Sequence, residues 1–472
     1  MHKAALHSCL PLSTLAAVAI AFGGLAGCDA ELTTPTAAAG TDDVTVVAEP
    51  LITPAIVPSK EFLVTALSVV DDRRFSDYHP GRWNGDEEGA FSFGRLVDNM
   101  IASDKPSDAA RSAFVMNWMR TWETPQTVNG QTLAARPAVR DVLITPWKLR
   151  SIGRLGNTPQ TCSASPTTDF QCKLSFGPNE IPFELTAIVN RPDLRVVPTT
   201  NDGKSGSAGQ GRFVFVLVDA ERQPLPFTVI FEYMVPTANK QDIKTYAEQW
   251  HRMGKRPFGS AFNHELHVLT QRFARRGAAP WRNSGSALLQ LRTNEVMFAA
   301  PDSDPRNPFG GSLWELREFV LGSNGQLTPD TVKMEPALSL SGSATLGQWA
   351  SENAAAIVAG TFELPPTYRG KPFLAASSQA AFEFVWDVPG VSEEVRDSLA
   401  LNTCNGCHVN ETGTGFLHVF PAEAGAEAEL SPFLTEQLTG PRSADFMSVL
   451  ASDWGTMQDG RGRDRGHPPA RP

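Results

Sequence analysis

The stretch Phe183-Glu184-Leu185-Thr186-Ala187-Ile188-Val189 decides the fold class. It is short, apolar and rich in β-branched and aromatic side chains, so it reads as a strand. Arg212 to Val218, Phe227 to Tyr233, Leu288 to Phe298 and Trp314 to Leu321 share that composition. Helical spacing surrounds them. Ala110, Phe114, Trp118 and Trp122 recur every fourth residue between Ser107 and Trp122, with Ser107-Asp108 as a start signal. Lys240 to Met253, His264 to Arg276 and Ala344 to Ile357 also read as helices, and Phe382 to Trp386 as a short strand. Phe62 to Val64 and Leu67 to Val70 read as strand or short helix. Runs of strands between groups of helices predict an α+β fold with a large mixed domain and a mainly antiparallel sheet. No internal repeat suggests a solenoid or propeller.

The chain has 472 residues, 41% of them hydrophobic and 19% charged. That balance excludes a mostly disordered chain. A net charge of -10 repels phosphate backbones and argues against a general nucleic-acid binder. The expected organisation is a signal segment (1–27), a flexible tether (28–58), an α+β body (59–386), a small helical C-terminal segment (387–455) and a disordered tail (456–472).

The first 27 residues place Lys3 before an apolar stretch from about Leu10 to Leu25. That stretch is short and Gly-rich for a membrane span and suits a secretory signal. Leu25-Ala26-Gly27-Cys28 resembles the lipobox of bacterial lipoproteins. That resemblance implies that Cys28 becomes the new N-terminus and carries acyl chains. The implied location is the cell envelope, on the periplasmic or outer surface, with the membrane as a partner through the lipid anchor.

Six Cys are present. Cys162 and Cys172 lie in a polar, turn-rich segment, and in an exported protein they are expected to pair. Cys404-Asn405-Gly406-Cys407-His408 is C-x-x-C-H, the attachment pattern of c-type haem. Two thiols at this spacing reach two vinyl groups of one porphyrin, and the next residue sets an imidazole under the iron. Val391 to Leu399 resembles the short helix that enters this motif in small c-type cytochromes. One covalent haem is therefore expected, held by Cys404, Cys407 and His408. His418 and Met447 are the candidates for a distal ligand, and the choice between them would set the potential. A structural disulfide or a redox C-x-x-C are the competing readings of the motif.

The phrases FELTAIVNRPDLR (183–195), GQGRFVFVLVD (209–219), FTVIFEY (227–233), QLRTNEVMF (290–298), LWELREFVL (313–321) and LNTCNGCH (401–408) resemble a family of exported bacterial lipoproteins without an established activity. The resemblance implies that the body and the C-x-x-C-H segment work as one unit. It supplies no catalytic residue.

Other constellations are weaker. His264-Glu265-Leu266-His267 is not the H-E-x-x-H of a zinc protease, and a polar helix start explains it; His251 is one helix earlier. Ser205 to Gly211 is Gly-rich but precedes a strand, where a phosphate cradle would precede a helix. The charged runs Asn190 to Arg195, Arg292 to Glu295 and Glu315 to Glu318 suit an anion pocket, an acid/base pair or cross-strand ion pairs. No nucleophile elbow or kinase motif is present. The sequence thus predicts an envelope-anchored haem protein for single-electron transfer or redox or ligand sensing, with a redox partner protein, rather than a catalyst. The alternative is a non-haem surface lipoprotein whose body binds a ligand or protein, with Cys404 and Cys407 as a structural disulfide.

Overall fold

Five long strands follow one another as an antiparallel meander in the computed structural model. It describes residues 55–83, 85–198, 204–282, 284–296, 314–380 and 386–452. The signal segment, Cys28, most of the tether and the C-terminal tail lie outside the described residues. The sheet contains β1 (Leu63–Val64), β2 (Phe183–Arg191), β3 (Gly206–Val218), β4 (Pro224–Thr237), β5 (Leu288–Glu295), β6 (Trp314–Leu321), β7 (Leu327–Asp330) and β8 (Ser378–Ala380). Its order is β1-β2-β3-β4-β5-β6-β8, with β7 also pairing with β6. Glu318 to Leu321 of β6 pair with β7 and Trp314 to Leu316 with β8, so the two short strands share one edge end to end. The α+β class and the antiparallel sheet match the sequence reading.

Strand alternation gives the sheet two different faces. One face presents Phe213, Phe215 and Leu217 of β3 and Phe227, Val229, Phe231 and Tyr233 of β4, all buried. The principal helices pack there: α1 (Phe93–Met100), α2 (Asp108–Arg120), α3 (Lys240–Gly254) and α4 (Ser260–Ala274). Phe93 stacks on Phe183 with ring centroids 4.5 Å apart. Trp118 and Trp122 are buried at the helix-core spacing the sequence gives them. The N-cap of α2 is Ser107, whose hydroxyl accepts from the Ala110 N–H at 3.1 Å.

Two local expectations are corrected. The helix expected over Ala344 to Ile357 divides into α5 (Ala344–Glu352) and a second piece, Ala354–Val358. Asn353 causes the break: its side-chain amide donates to the Trp349 carbonyl at 2.8 Å and competes with the helical ladder. The Gly-rich run before β3 belongs to the strand itself. A Cβ on Gly209 would stand 2.2 Å from the Arg191 carbonyl, and one on Gly211 would stand 2.1 Å from the Phe273 ring. The glycines admit a neighbouring strand and a helix side chain, not a phosphate. Of the strand expected at Phe382 to Trp386, residues 382–385 lie outside the described residues.

The opposite face of the sheet is covered by α6 (Glu393–Asn402), α7 (Pro432–Thr439), α8 (Pro441–Leu450) and the chain between them. The described residues from Ala55 onward form one compact unit, which includes this segment. Arg195, just after β2, grips Asp445 of α8 by two bonds of 2.5 and 2.8 Å. Phe446 meets Phe62 edge-on at 5.3 Å. Cys162 and Cys172 form the expected disulfide. Among the described residues, no helix is long and apolar enough to cross a membrane.

Candidate functional site: a cationic cavity at the C-x-x-C-H motif

The sequence leads directly into the site. Ser392 caps α6, and Val395, Leu399 and Ala400 turn one face of that helix into a second apolar core with Trp349, Phe373 and Trp386. The helix stops at Asn402, and Gly406–Asn410 then winds as a wide π turn. Gly406 is required there: an added Cβ would stand 1.9 Å from the Ala400 carbonyl oxygen. The Trp386 indole N–H donates to Asn405 Oδ1 at 2.7 Å. The Glu335 carboxyl accepts from the Cys404 N–H at 2.7 Å. Burial pushes the pKa of Glu335 up to about 8, against the pull of the Cys404 and Asn405 N–H groups.

Cys404, Cys407, His408 and His418 all line one cavity of about 230 Å³ between the sheet and the C-terminal segment. Its floor consists of alternate residues of neighbouring strands: Val189 and Arg191, Arg212 and Val214, Thr228 and Ile230, Arg292 and Asn294. Phe433, Leu434, Gln437 and Arg442 close it from α7 and α8. Cys404 and Cys407 are not joined in a disulfide. Burial pushes the Cys407 thiol up to about 11, which disfavours the thiolate that redox exchange requires.

His408 Nδ1 donates to the Phe416 carbonyl at 2.7 Å, which fixes the tautomer and leaves Nε2 as the lone-pair nitrogen. Burial lowers its pKa to about 4, so the ring is neutral. Its face stacks on Trp314 of β6, centroids 5.1 Å apart. His418 Nδ1 bonds the Ser431 hydroxyl at 2.9 Å, and its Nε2 lies 3.4 Å from Cys407 Sγ. Burial, and then the neighbouring His408, hold its pKa well below the usual imidazole value.

The donor set fits one covalent c-type haem: two thiols and a neutral imidazole with a fixed tautomer face one cavity. His418 fits less directly. Its ring centroid lies 4.6 Å from that of His408. At that separation the two rings lie in contact with each other. The rings must therefore part before both can ligate. Met447 sits on α8 and is not among the cavity's lining residues.

The charged runs serve both faces of the sheet. Arg292 and Glu318 face the cavity side and pair at 3.0 Å, with Lys333 bonded to the same carboxylate. Glu232 joins Arg212 at 2.9 Å and Arg292 at 3.6 Å. On the other face Glu315 pairs with Arg317 at 2.8 Å and Arg136 at 3.2 Å. Burial would raise the Glu315 carboxyl, but Arg317 and Arg136 hold it below its usual range.

His264 and His267 lie within α4, not at its start. His264 contacts Glu87, His267 is buried, and His251 bonds Glu61 at 2.9 Å. Among the described residues no group of three or more His, Cys, Asp or Glu side chains is placed to hold a metal ion. Glu335, Phe416, Ser431 and Arg442 belong to the site without any local sequence motif. The alternation of Arg with apolar residues in the strands was a signal for the floor residues Arg212 and Arg292, not for these four.

No family model, curated protein or solved structure matches the chain.

Proposed function

We propose that the protein is an envelope-anchored lipoprotein, acylated at Cys28, that carries one covalent c-type haem and serves single-electron transfer or redox or ligand sensing with a redox partner protein. The C-terminal segment acts as a cytochrome-c-like unit built onto the α+β body. The observation that carries this reading is the bond from His408 Nδ1 to the Phe416 carbonyl beside Cys404 and Cys407, which are not joined in a disulfide. A thiol adds across a vinyl group without any oxidant, so both cysteines can become thioethers as they stand. When bound, the haem supplies one-electron exchange at its iron. The chain's own residues orient the imidazole and cover it with Trp314, and Leu417 and Phe433 line the same cavity.

The test is expression of the exported protein in a host with c-haem maturation machinery. A haem stain that survives denaturing electrophoresis, with a reduced α band, is expected. Both should vanish in Cys404→Ala/Cys407→Ala. Well-folded wild-type protein without haem would overturn the reading.

A further inference from the structure

The outer edge of β2 is covered over only part of its length. β1 pairs with Ile188 and Val189, and the Asn190 N–H donates to the Phe62 carbonyl at 2.7 Å. On its inner side β2 pairs with β3 from Phe183 to Arg191, with a bulge between Leu185 and Ala187. The Val218 N–H donates to the Pro182 carbonyl at 2.8 Å, which makes these two residues a bonded pair. Antiparallel alternation then makes Glu184 and Val216 the next bonded pair, so the N–H and C=O groups of Phe183 and Leu185 point outward. No strand among the described residues pairs with them there.

A second cavity, of about 630 Å³, lies against this stretch and is lined by Phe183, Glu184, Leu185 and Thr186. Leu67, Val70 and Ile181 give it apolar lining, and the tip of the hairpin formed by Val419–Phe420 and Glu429–Leu430 adds Glu423 and its neighbours. Its charged lining is four carboxylates, Asp71, Asp77, Glu184 and Glu423, against Arg73 and Arg222. Arg222 is taken up by Glu184 and by the Ile181 carbonyl at 2.8 Å. Arg73 stands beside Asp71. Asp77 and Glu423 have no cationic partner among the described residues.

An open strand edge is a template for another strand. Main-chain bonds then supply affinity, and alternate side chains set the choice of partner. We propose that this cavity docks an extended, basic segment of a partner protein, which adds to the edge of β2 as a further strand. Its Lys or Arg side chains would meet Asp77 and Glu423, and its apolar ones Leu67, Val70 and Ile181. The site shares no lining residue with the cavity at the C-x-x-C-H motif and goes beyond the haem reading.

The test uses the full-length chain and a fluorescein-labelled heptapeptide of alternating lysine and valine, followed by fluorescence anisotropy. Saturable binding is expected. Replacing every lysine with glutamate, or methylating every backbone nitrogen of the peptide, should each weaken it about tenfold or more. Asp77→Asn/Glu423→Gln should cause a similar loss while circular dichroism stays unchanged. No binding, equal affinity for the methylated peptide, or equal affinity of the double variant overturns the proposal. Displacement by spermidine at the concentration the unlabelled peptide needs would overturn it by giving the cavity to small polycations. A dimer in sedimentation that the peptide dissociates would overturn it by giving the edge to a second copy of the chain. None of these readouts depends on haem, so either reading can fail while the other stands.

Discussion

His408 and Phe416 are joined twice. The Phe416 N–H donates to the His408 carbonyl at 3.0 Å, and His408 Nδ1 donates to the Phe416 carbonyl at 2.7 Å. The second bond sets the tautomer of the only imidazole in the C-x-x-C-H motif. Phe416 holds this position with φ 66°, in the left-handed region that a non-glycine residue occupies at some cost.

That backbone conformation gives the first prediction. Asn tolerates the left-handed region and a β-branched residue does not. Both Phe416→Asn and Phe416→Val lose the ring that faces Trp314, so their difference isolates the backbone. Phe416→Val should be less stable than Phe416→Asn by about 1–2 kcal/mol in urea unfolding. It should also give a lower yield of haem-loaded protein.

Glu335 predicts a pH dependence. Its folded pKa of about 8 lies above the ordinary carboxyl value, because burial penalises the charged form. The folded state therefore holds a proton that the unfolded state has lost. The stability from this group is fully present below about pH 4.5 and is lost progressively as pH rises to about 8. Glu335→Gln keeps an oxygen that can accept from the Cys404 N–H but does not titrate. Denaturant unfolding at pH 5 and pH 8.5 should show a smaller loss of stability for Glu335→Gln than for wild type. An unchanged slope would refute the assignment.

Gly406 is fixed by close approach. Gly406→Ala places a Cβ against the Ala400 carbonyl, so the turn that carries Cys407 and His408 must shift. A loss of about 1–3 kcal/mol is expected, as for other overpacked sites. Haem staining should fall more steeply than overall helicity, because the displaced turn carries the attachment residues.

The Arg195–Asp445 pair ties α8 to the sheet, with side chains 8% and 2% exposed. Asp445→Ala leaves the guanidinium buried without this partner and should cost about 3–5 kcal/mol. Hydrogen exchange should rise first in α7 and α8. Uniform protection across the chain would show that the pair holds nothing local.

The sheet was legible in the sequence because its strands are dense in Val, Ile and Phe; its faces were not, because a bulge between Leu185 and Ala187 puts Phe183 on the helix face and Val189 and Arg191 on the cavity face. The limits of β6 follow directly from Trp314 to Leu321. The disulfide and the C-x-x-C-H group were legible because each lies within one short segment. The rest of the site was not, for a physical reason. Glu335 stands 69 residues before Cys404, and Arg195 stands 250 residues before Asp445. Only the register of the sheet and the packing of α6 to α8 bring such residues together. The break at Asn353 was missed for the opposite reason: a single side chain bonding its own helix overrides a good apolar period.

The distal side is the last prediction. Met447 does not line the cavity, whereas His418 does, as a ring held neutral by burial and fixed at Nδ1 by Ser431. His418 Nε2, which lies 3.4 Å from Cys407 Sγ, is thus the nitrogen that would hold an iron, and its ring must first leave the tilted 4.6 Å contact with His408. Met447→Leu should leave the spectrum of the haem-loaded protein unchanged. His418→Ala should keep the covalent haem stain, since Cys404, Cys407 and His408 remain, but convert a low-spin spectrum to a high-spin one. A low-spin spectrum that survives His418→Ala and collapses in Met447→Leu would reverse the assignment and require α8 to leave the position that Arg195 holds.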